Sequence, residues 1–410
     1  MKNKLKNKLK WFINIYSYNT MNENKSSFWS SQPVPQSTKQ LLECSAEKPI
    51  TDLSINIQTN PLSLPNNFAW CLLDLTTTDN LDDLYYLLRD HYVSDKDEKI
   101  RFNYSQDFLK WALYCPNYKA EWFVGVRSTI GKKPLVAFIS AIPVTILVNH
   151  QPHNMAEINF LCVHHKLRSY RLAPVLIKEI TRRINICGIF QAVYTAGVTL
   201  PTPIATCQYY HRSLNVKKLV DIGFHHLNKG ITLTQLIKLY KLPRETYTIG
   251  LRPLQKKDCT QACNLLNTHL KKFKLHMHFN IVEFEYWFCS RPTVIESYVV
   301  ENQQTNQITD LVSFYILPST IIGDCKYDIL STAYLWYTVS TVTPLVQLIK
   351  DVLIIAANMD IDIFNCLNTH HNDSFITELK FSAGSGNLNY YLYNWLTSAM
   401  SPNEIGLTML

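Results

Sequence analysis

Glycine is scarce in this chain, 11 of 410 residues, and charged residues make up 18%, short of the usual quarter. That composition excludes a low-complexity or linker-dominated protein. No stretch reaches the run of about 18 apolar residues that a membrane-crossing helix needs. The 11 cysteines are odd in number and fall without a disulfide-like rhythm. A secretory signal is not expected either. The opening "MKNKLKNKLKWFINIYSY" starts charged, but Asn14, Ser17, Tyr18 and Asn19 dilute its apolar part and no small-residue cleavage site follows. The expected setting is reducing and cytoplasmic.

What is abundant is apolar and aromatic: 47% hydrophobic residues, with 23 tyrosines among them. Tyrosines in such number suit deep walls with polar tips. A formal charge of +8 favours anionic partners, and phosphates on a small ligand satisfy it as well as nucleic acid does. The length exceeds one ordinary core, so two domains or a duplicated plan are expected.

The first 65 or so residues are rich in Asn, Ser, Lys, Gln and Pro and read as an irregular arm. Leu5, Leu9, Phe12, Ile13 and Tyr16 fall at helical spacing among lysines. That pattern suits an anionic membrane surface or ribosomal RNA, or else a solvated lead-in. Within the arm, "SFWSSQPVP" concentrates Phe28 and Trp29 in a polar setting and is expected to dock on the body. Beyond it, helix-like "LDDLYYLLRDHY" and "SQDFLKWALYC" precede β-rich "EWFVGVR", "LVAFISAIPVTILV" and "MAEINFLCVHH", then the helical "RLAPVLIKEITRRINI" and the strand "QAVYTAG". The order predicts an α/β (α+β) layer structure with a mixed, mostly antiparallel sheet flanked by helices. The second half restates the plan: "YDILSTAYLWYTVS", then "PLVQLIKDVLIIAANM", then "IDIFNCLN". We set the arm at residues 1–40, with a docking segment at 27–35, and the two halves at 41–205 and 206–410.

Between strand and helix in the first half stands "HHKLRSYR". A helix N-terminus presents unpaired amides and a positive dipole end, to which Arg168 and Arg171 add charge-assisted bonds, an arrangement that fits a pyrophosphate. Solvated loop charges are the plainer alternative. Pro174 falls in the first helical turn, where its missing N–H costs nothing. The residue types of "NFLCV" leave room for amides turned away from the ladder at a bulge.

Together, "EINFLCVHHKLRSYRLAPVLIKEITRRIN", the upstream "FWSSQPVP", "RFNYSQDFLKWAL", "AVYTAGV", "YYHRSLNVKKLVDIGF", "GNLNYYLYNW" and the final "IGLTML" resemble the glycylpeptide N-tetradecanoyltransferase (N-myristoyltransferase) family, collinearly from about Phe28 to Leu410. The resemblance implies two acetyltransferase-like (GNAT) halves related by a pseudo-twofold, the first binding acyl-CoA and the second supplying a peptide groove. It implies transfer of a tetradecanoyl group from its coenzyme A thioester to an N-terminal glycine. Myristoyl-CoA is then a co-substrate, no cofactor is tightly bound, and the chain acts as a monomer.

By motif, the resemblance places oxyanion-binding amides at Phe160 and Leu161, the base at the terminal carboxylate of Leu410, and proton relay or amine binding at Thr195 and Asn159. Taken alone, Thr195 reads equally as a strand-end hydroxyl satisfying its own backbone. Coenzyme contacts are implied at Ser27, Phe28, Trp29, Phe160, Leu161, Cys162, Val163, Arg168, Ser169, Arg171, Leu172 and Ala173. Peptide contacts are implied at Phe102, Tyr104, Tyr209, His211, Ser319, Tyr334 and Asn365. Family members often carry a basic residue where this chain has Tyr170, and many read Gly-Asp-Gly-Asn where it has "GSGN" at Gly384–Asn387.

No metal site is expected. Cys259, Cys263, His276 and His278 glance at a zinc-finger spacing, but the histidines are too close together and the cysteines share a helical apolar face. Cys162 as an acyl-accepting nucleophile is a weaker reading than a packed residue. Two further readings remain at this point: a general N-acetyltransferase, and a non-catalytic acyl-CoA-binding protein.

Overall fold

The computed structural model describes residues 25–52, 54, 57–93, 99–227, 230–323 and 326–410. The basic stretch expected to meet a membrane or ribosome, residues 1–24, lies outside them. The arm was expected to be irregular, yet it contains the short helices Lys25–Ser30 and Thr38–Leu42. Burial of Val34 and Leu41 supplies the reason: these apolar side chains hold the segment against the body.

Most strands join one mixed sheet whose order reads the same from either edge. From the first edge inward come Phe68–Leu72, Phe123–Ser128, Leu135–Val148, Gln151–Val163 and Ala192–Ala196. From the other edge inward come Leu251–Pro253, Ile295–Glu301, Ile308–Ile316, Thr332–Val339 and Ile363–Leu367. The two strands at the centre are exchanged. Ser382–Tyr393, late in the chain, pairs with Ala192–Ala196, and Ala205–Ser213 pairs with Ile363–Leu367. This is the expected duplication of plan, with the halves tied together by trading a strand.

On one face a single core spans both halves, beneath helices Thr78–His91, Gln106–Leu113, Cys259–Leu270 and Ile281–Phe288. The opposite face carries one long helix per half, Leu172–Ile186 and Leu345–Asn358, each with its own core. Leu172, Leu176, Ile180 and Ile184, four apart, form the buried stripe of the first. Its polar side is fixed too. Glu179, fully buried, binds Arg182 and Arg183 at 2.7 Å each.

In each half the strand before the long helix runs parallel to the strand after it, and only briefly. Ala156 and Glu157 are level with Ala192 and Val193; Thr332 to Tyr334 are level with Ile363 to Asn365. Beyond those residues each pair parts. Each strand also bulges just past the parting, and the two bulges occupy equivalent positions. Ser140 faces Asn159 and Phe138 faces Cys162, so Phe160 and Leu161 stand against Ile139 alone. Phe314 faces Leu335 and Val312 faces Thr338, so Trp336 and Tyr337 stand against Ser313 alone.

Candidate active site

The parting of the strands in the N-terminal half opens a cavity of about 560 Å³. Arg171, Ala173 and Pro174 line it together with Leu410, Asn159, Leu161, Thr195 and Trp29. The long helix contributes the apolar Ile177, Ile180 and Ile184 to its wall, and the strand beside it Ala192. A slot of this kind holds an acyl chain by burial alone, at about 0.8 kcal/mol per methylene.

At the bulge, Phe160 adopts φ +56°, a left-handed conformation costly for a residue of its size. Its ring is buried and does not line the cavity; it packs edge-on against Tyr104 with centroids 5.2 Å apart. What Phe160 and Leu161 present is therefore the displaced main chain. In the other half, the Ser313 hydroxyl accepts the Tyr337 N–H and donates to the Tyr337 carbonyl, both at 3.1 Å. Ile139, at Ser313's place, has no polar side-chain atom, and it lines the cavity.

Asn159 is held by a neighbour that sequence reasoning missed. Its amide donates to Glu157 Oε1 at 2.8 Å, and Ser140 Oγ donates to its carbonyl at 3.0 Å. Glu157 is enclosed, and burial pushes its carboxyl up to about 7 despite the hydrogen bond from Asn159. A glutamate three residues before the bulge, the one carboxylate on the strand Gln151–Val163, was the available signal.

The turn His165–Tyr170 and the left-handed Arg171, φ +55°, lead into the long helix, which has no side-chain cap. Its first amides are thus left for an outside acceptor. Arg171 and Ser169 are exposed, whereas Leu172 and Ala173 are buried. Arg168 reaches across to donate to the His91 carbonyl at 2.9 Å. Tyr170 is exposed and packs its ring edge-on against Phe68. The C-terminal half fills the matching loop itself. The N–H groups of Thr341, Val342 and Thr343 all point to the buried carboxylate of Asp310, at 2.7, 3.0 and 3.2 Å, and the Thr343 hydroxyl adds a fourth bond at 3.0 Å.

The docking segment closes the cavity as a lid. Trp29 stacks on Tyr194, which stacks on Tyr391, with interplanar angles of 11°. Tyr393 and Asn394 then donate to Gln32 and Pro33 at 3.0 and 2.7 Å. Of Ser27 the structure describes only the backbone. Tyr194 was absent from the sequence-derived set, although it sits beside Thr195 in the "YTAG" motif.

The chain end is pinned along its whole approach. Ile405 and Gly406 run parallel to Leu275 and His276. The Tyr390 hydroxyl donates to the Leu407 carbonyl at 2.9 Å, and Thr408 binds Trp336 and Tyr337 of the second bulge at 3.0 and 3.3 Å. At Gly406 a Cβ would lie 2.5 Å from the Phe273 ring, so glycine lets the tail pass close by. Leu407 and Met409 are buried, which brings Leu410 to the cavity.

Of the residues expected to meet a peptide, Phe102, Tyr104, Tyr209 and Tyr334 line the same cavity as Leu410, and burial pushes the Tyr209 and Tyr334 hydroxyls well above their ordinary range. Three do not line it. His211, on the same strand as Tyr209, and Asn365, level with Tyr334 on the neighbouring strand, are buried and bound to each other at 2.5 Å, and Ser319 pairs with Phe102 in a separate small sheet. The "GSGN" turn packs on the same histidine, with no room for a Cβ at Gly384. Cys162 also departs from expectation. Its thiol points to the Leu87 carbonyl, 3.8 Å away, burial pushes it up to about 12, and Cys162 does not line the cavity. Val163 lies in the core beneath the long helix. No metal site was expected, yet the fold brings His91 beside His164 and His165.

Two family models match the chain: myristoyl-CoA:protein N-myristoyltransferase, N-terminal domain, over residues 49–207, and the C-terminal domain of the same family over residues 221–408. Glycylpeptide N-tetradecanoyltransferase 1 of Arabidopsis thaliana is 47% identical over 95% of this chain and 91% of its own length. The glycylpeptide N-tetradecanoyltransferase of Plasmodium falciparum is 46% identical over 93% of each. A crystal structure of Saccharomyces cerevisiae N-myristoyltransferase with bound myristoyl-CoA superposes with a TM-score of 0.90 at 39% identity, covering 94% of this chain and all of that one.

Proposed function

This chain belongs to the myristoyl-CoA:protein N-myristoyltransferase family, and from that premise we propose that it works by direct attack, with main-chain amides and its own terminus as the chemical groups. It is an acyltransferase that moves the tetradecanoyl group of myristoyl-CoA, its co-substrate, to the α-amino group of an N-terminal glycine. The observation that carries the mechanism is the joining, in one cavity, of the bulged strand, the uncapped helix and the chain end.

In this reading the amides of the turn and first helical residues, from Ser169 to Ala173, hold the pyrophosphate with Arg168 and Arg171. Ser27, Phe28 and Trp29 cover the thioester. The N–H groups of Phe160 and Leu161 receive the thioester oxygen as it gains negative charge. The glycine ammonium, bound near Thr195 and Asn159, gives a proton to the Leu410 carboxylate. An α-amino group has a reference pKa of roughly 7.7–8.0, so little help is needed. The amine lone pair then forms the N–C bond, the C–S bond breaks, the nitrogen gives up its second proton as the amide forms, and coenzyme A leaves as a thiolate that takes up that proton. Glu157 holds the Asn159 side chain, and Phe102, Tyr104, Tyr209 and Tyr334 wall the peptide.

We place the enzyme in the cytoplasm as a monomer, consistent with its unpatterned cysteines, and assign its basic leading segment to an anionic ribosomal or membrane surface. The test follows free thiol from myristoyl-CoA or acetyl-CoA with a peptide beginning in glycine, its N-acetylated copy as control. Thiol release with myristoyl-CoA and the free amine only is the expected result. Release from acetyl-CoA alone identifies a general acetyltransferase, and no release identifies a binder.

A further inference from the structure

His91, His164 and His165 come together on the turn that precedes the phosphate-facing helix, and none of the three lines the cavity. His91 closes the helix Thr78–His91, His164 caps the turn His165–Tyr170, and His165 opens it. Sequence spacing alone could not reveal the group, because more than seventy residues separate its two parts. One ring nitrogen from each lies within 4.8 Å of the others. His91 Nδ1 and His165 Nδ1 are 2.9 Å apart, and the His91 and His164 ring centroids 3.9 Å.

We propose that these three imidazoles bind one borderline divalent transition-metal ion, Zn²⁺ or Co²⁺, leaving a fourth position open to solvent. A tetrahedral zinc with Zn–N bonds of about 2.0–2.1 Å sets its ligand nitrogens roughly 3.3 Å apart. Ring rotations moving those atoms by about an ångström close the set, and the side chains are half-buried or exposed. Binding exchanges two modest contacts for metal bonds: the 2.9 Å pairing of His91 with His165, and the 3.3 Å bond from the Lys166 N–H to His164 Nδ1. The negative end of a 14-residue helix dipole lies at His91, which favours a cation there, while the neighbouring Asp90 is already paired with Arg89 at 2.7 Å. Lys166 and Arg168 oppose the ion and weaken its binding. An ion here fastens the helix end to the turn that carries Arg168 and Arg171.

The full chain, chelator-stripped and kept reduced, is titrated with Co²⁺ and then with Zn²⁺ as competitor. The expected result is one Co²⁺ bound with visible bands of a tetrahedral nitrogen site, displaced by Zn²⁺. His91→Ala and His165→Ala should each weaken binding at least tenfold while keeping the parent's circular dichroism. His164 is left alone because its ring receives the Lys166 amide. Absence of Co²⁺ binding, a thiolate-to-metal charge-transfer band, or unchanged affinity in both variants overturns the proposal.

Discussion

In the N-terminal half the strand Gln151–Val163 bulges against Ile139; in the C-terminal half the strand Thr332–Val339 bulges against Ser313. Each bulge is followed by a loop and a long helix. In the second half the protein supplies its own partners: the Ser313 hydroxyl takes the Tyr337 amide, and the Asp310 carboxylate takes three loop amides. In the first half the matching positions offer an isoleucine at the bulge and a turn carrying Arg168 and Arg171, while the long helices of both halves start without a side-chain cap. The same backbone geometry thus serves as scaffold in one half and is left with donors to offer in the other. A buried polar group must find a partner, so amides left unmatched by side chains beside a cavity are reserved for a ligand.

The two bulges also meet at the chain end, since Trp336 and Tyr337 hold Thr408 and thereby aim Leu410 at the cavity served by Phe160 and Leu161. Extending the chain by a few residues past Leu410 breaks this link most severely. It should lower kcat by about 10²–10⁴-fold, the usual range for a lost general base, with acyl-CoA affinity retained in a fluorescence titration. A fully active extended chain removes the terminus from the mechanism.

Next in size, a hydroxyl opposite the first bulge should make it resemble the second. Ile139→Thr places one where it can capture the bulge amide, and Ile139→Val supplies the same shape without it. We expect kcat of the threonine variant to fall below that of the valine variant by roughly 10²-fold, the lower range for loss of one oxyanion donor. Equal rates would mean these amides do not meet the oxyanion.

The two loops separate stability from affinity. Asp310→Ala strips the acceptor from three loop amides and should lower unfolding free energy by roughly 3 kcal/mol, measured in urea, with the acyl-CoA dissociation constant unchanged. Arg171→Ala should do the reverse, weakening acyl-CoA about tenfold, or ~1.4 kcal/mol, at unchanged stability.

A further difference concerns Glu157, whose equivalent in the other half is the buried Ala333. Because its carboxyl is raised from 4.5 to about 7 in the folded chain, the folded state binds the extra proton. This residue's contribution to stability therefore declines as pH rises from about 4.5 to 7 and is constant above. Glu157→Gln should remove that part of the slope in thermal melts across this window. An identical slope in the variant would show the carboxyl ionising as freely as in the unfolded chain.

Much of this was legible in the residues themselves. The spacing of Leu172, Val175, Leu176, Glu179, Ile180 and Arg183 gave the long helix, the arginines ahead of it pointed to an anion site, and the repeated strand, helix, strand order gave the duplication. Collinear motifs identified Phe160, Leu161, Thr195 and Leu410 as candidates, and the fold gathers their chain segments about one cavity. His211, Ser319, Asn365 and Cys162 came from the same motifs and do not line the cavity, since alternation along a strand does not say which face meets it.

Local spacing determines helices, strands and turn chemistry, since these depend on neighbours a few residues away. Only the tertiary structure decided that Glu157 is enclosed, that Asp310 fills the second loop, that the halves exchange a strand, and that His91 joins His164 and His165. Each of those depends on partners brought from distant parts of the chain, and burial and pairing across such distances are set by packing.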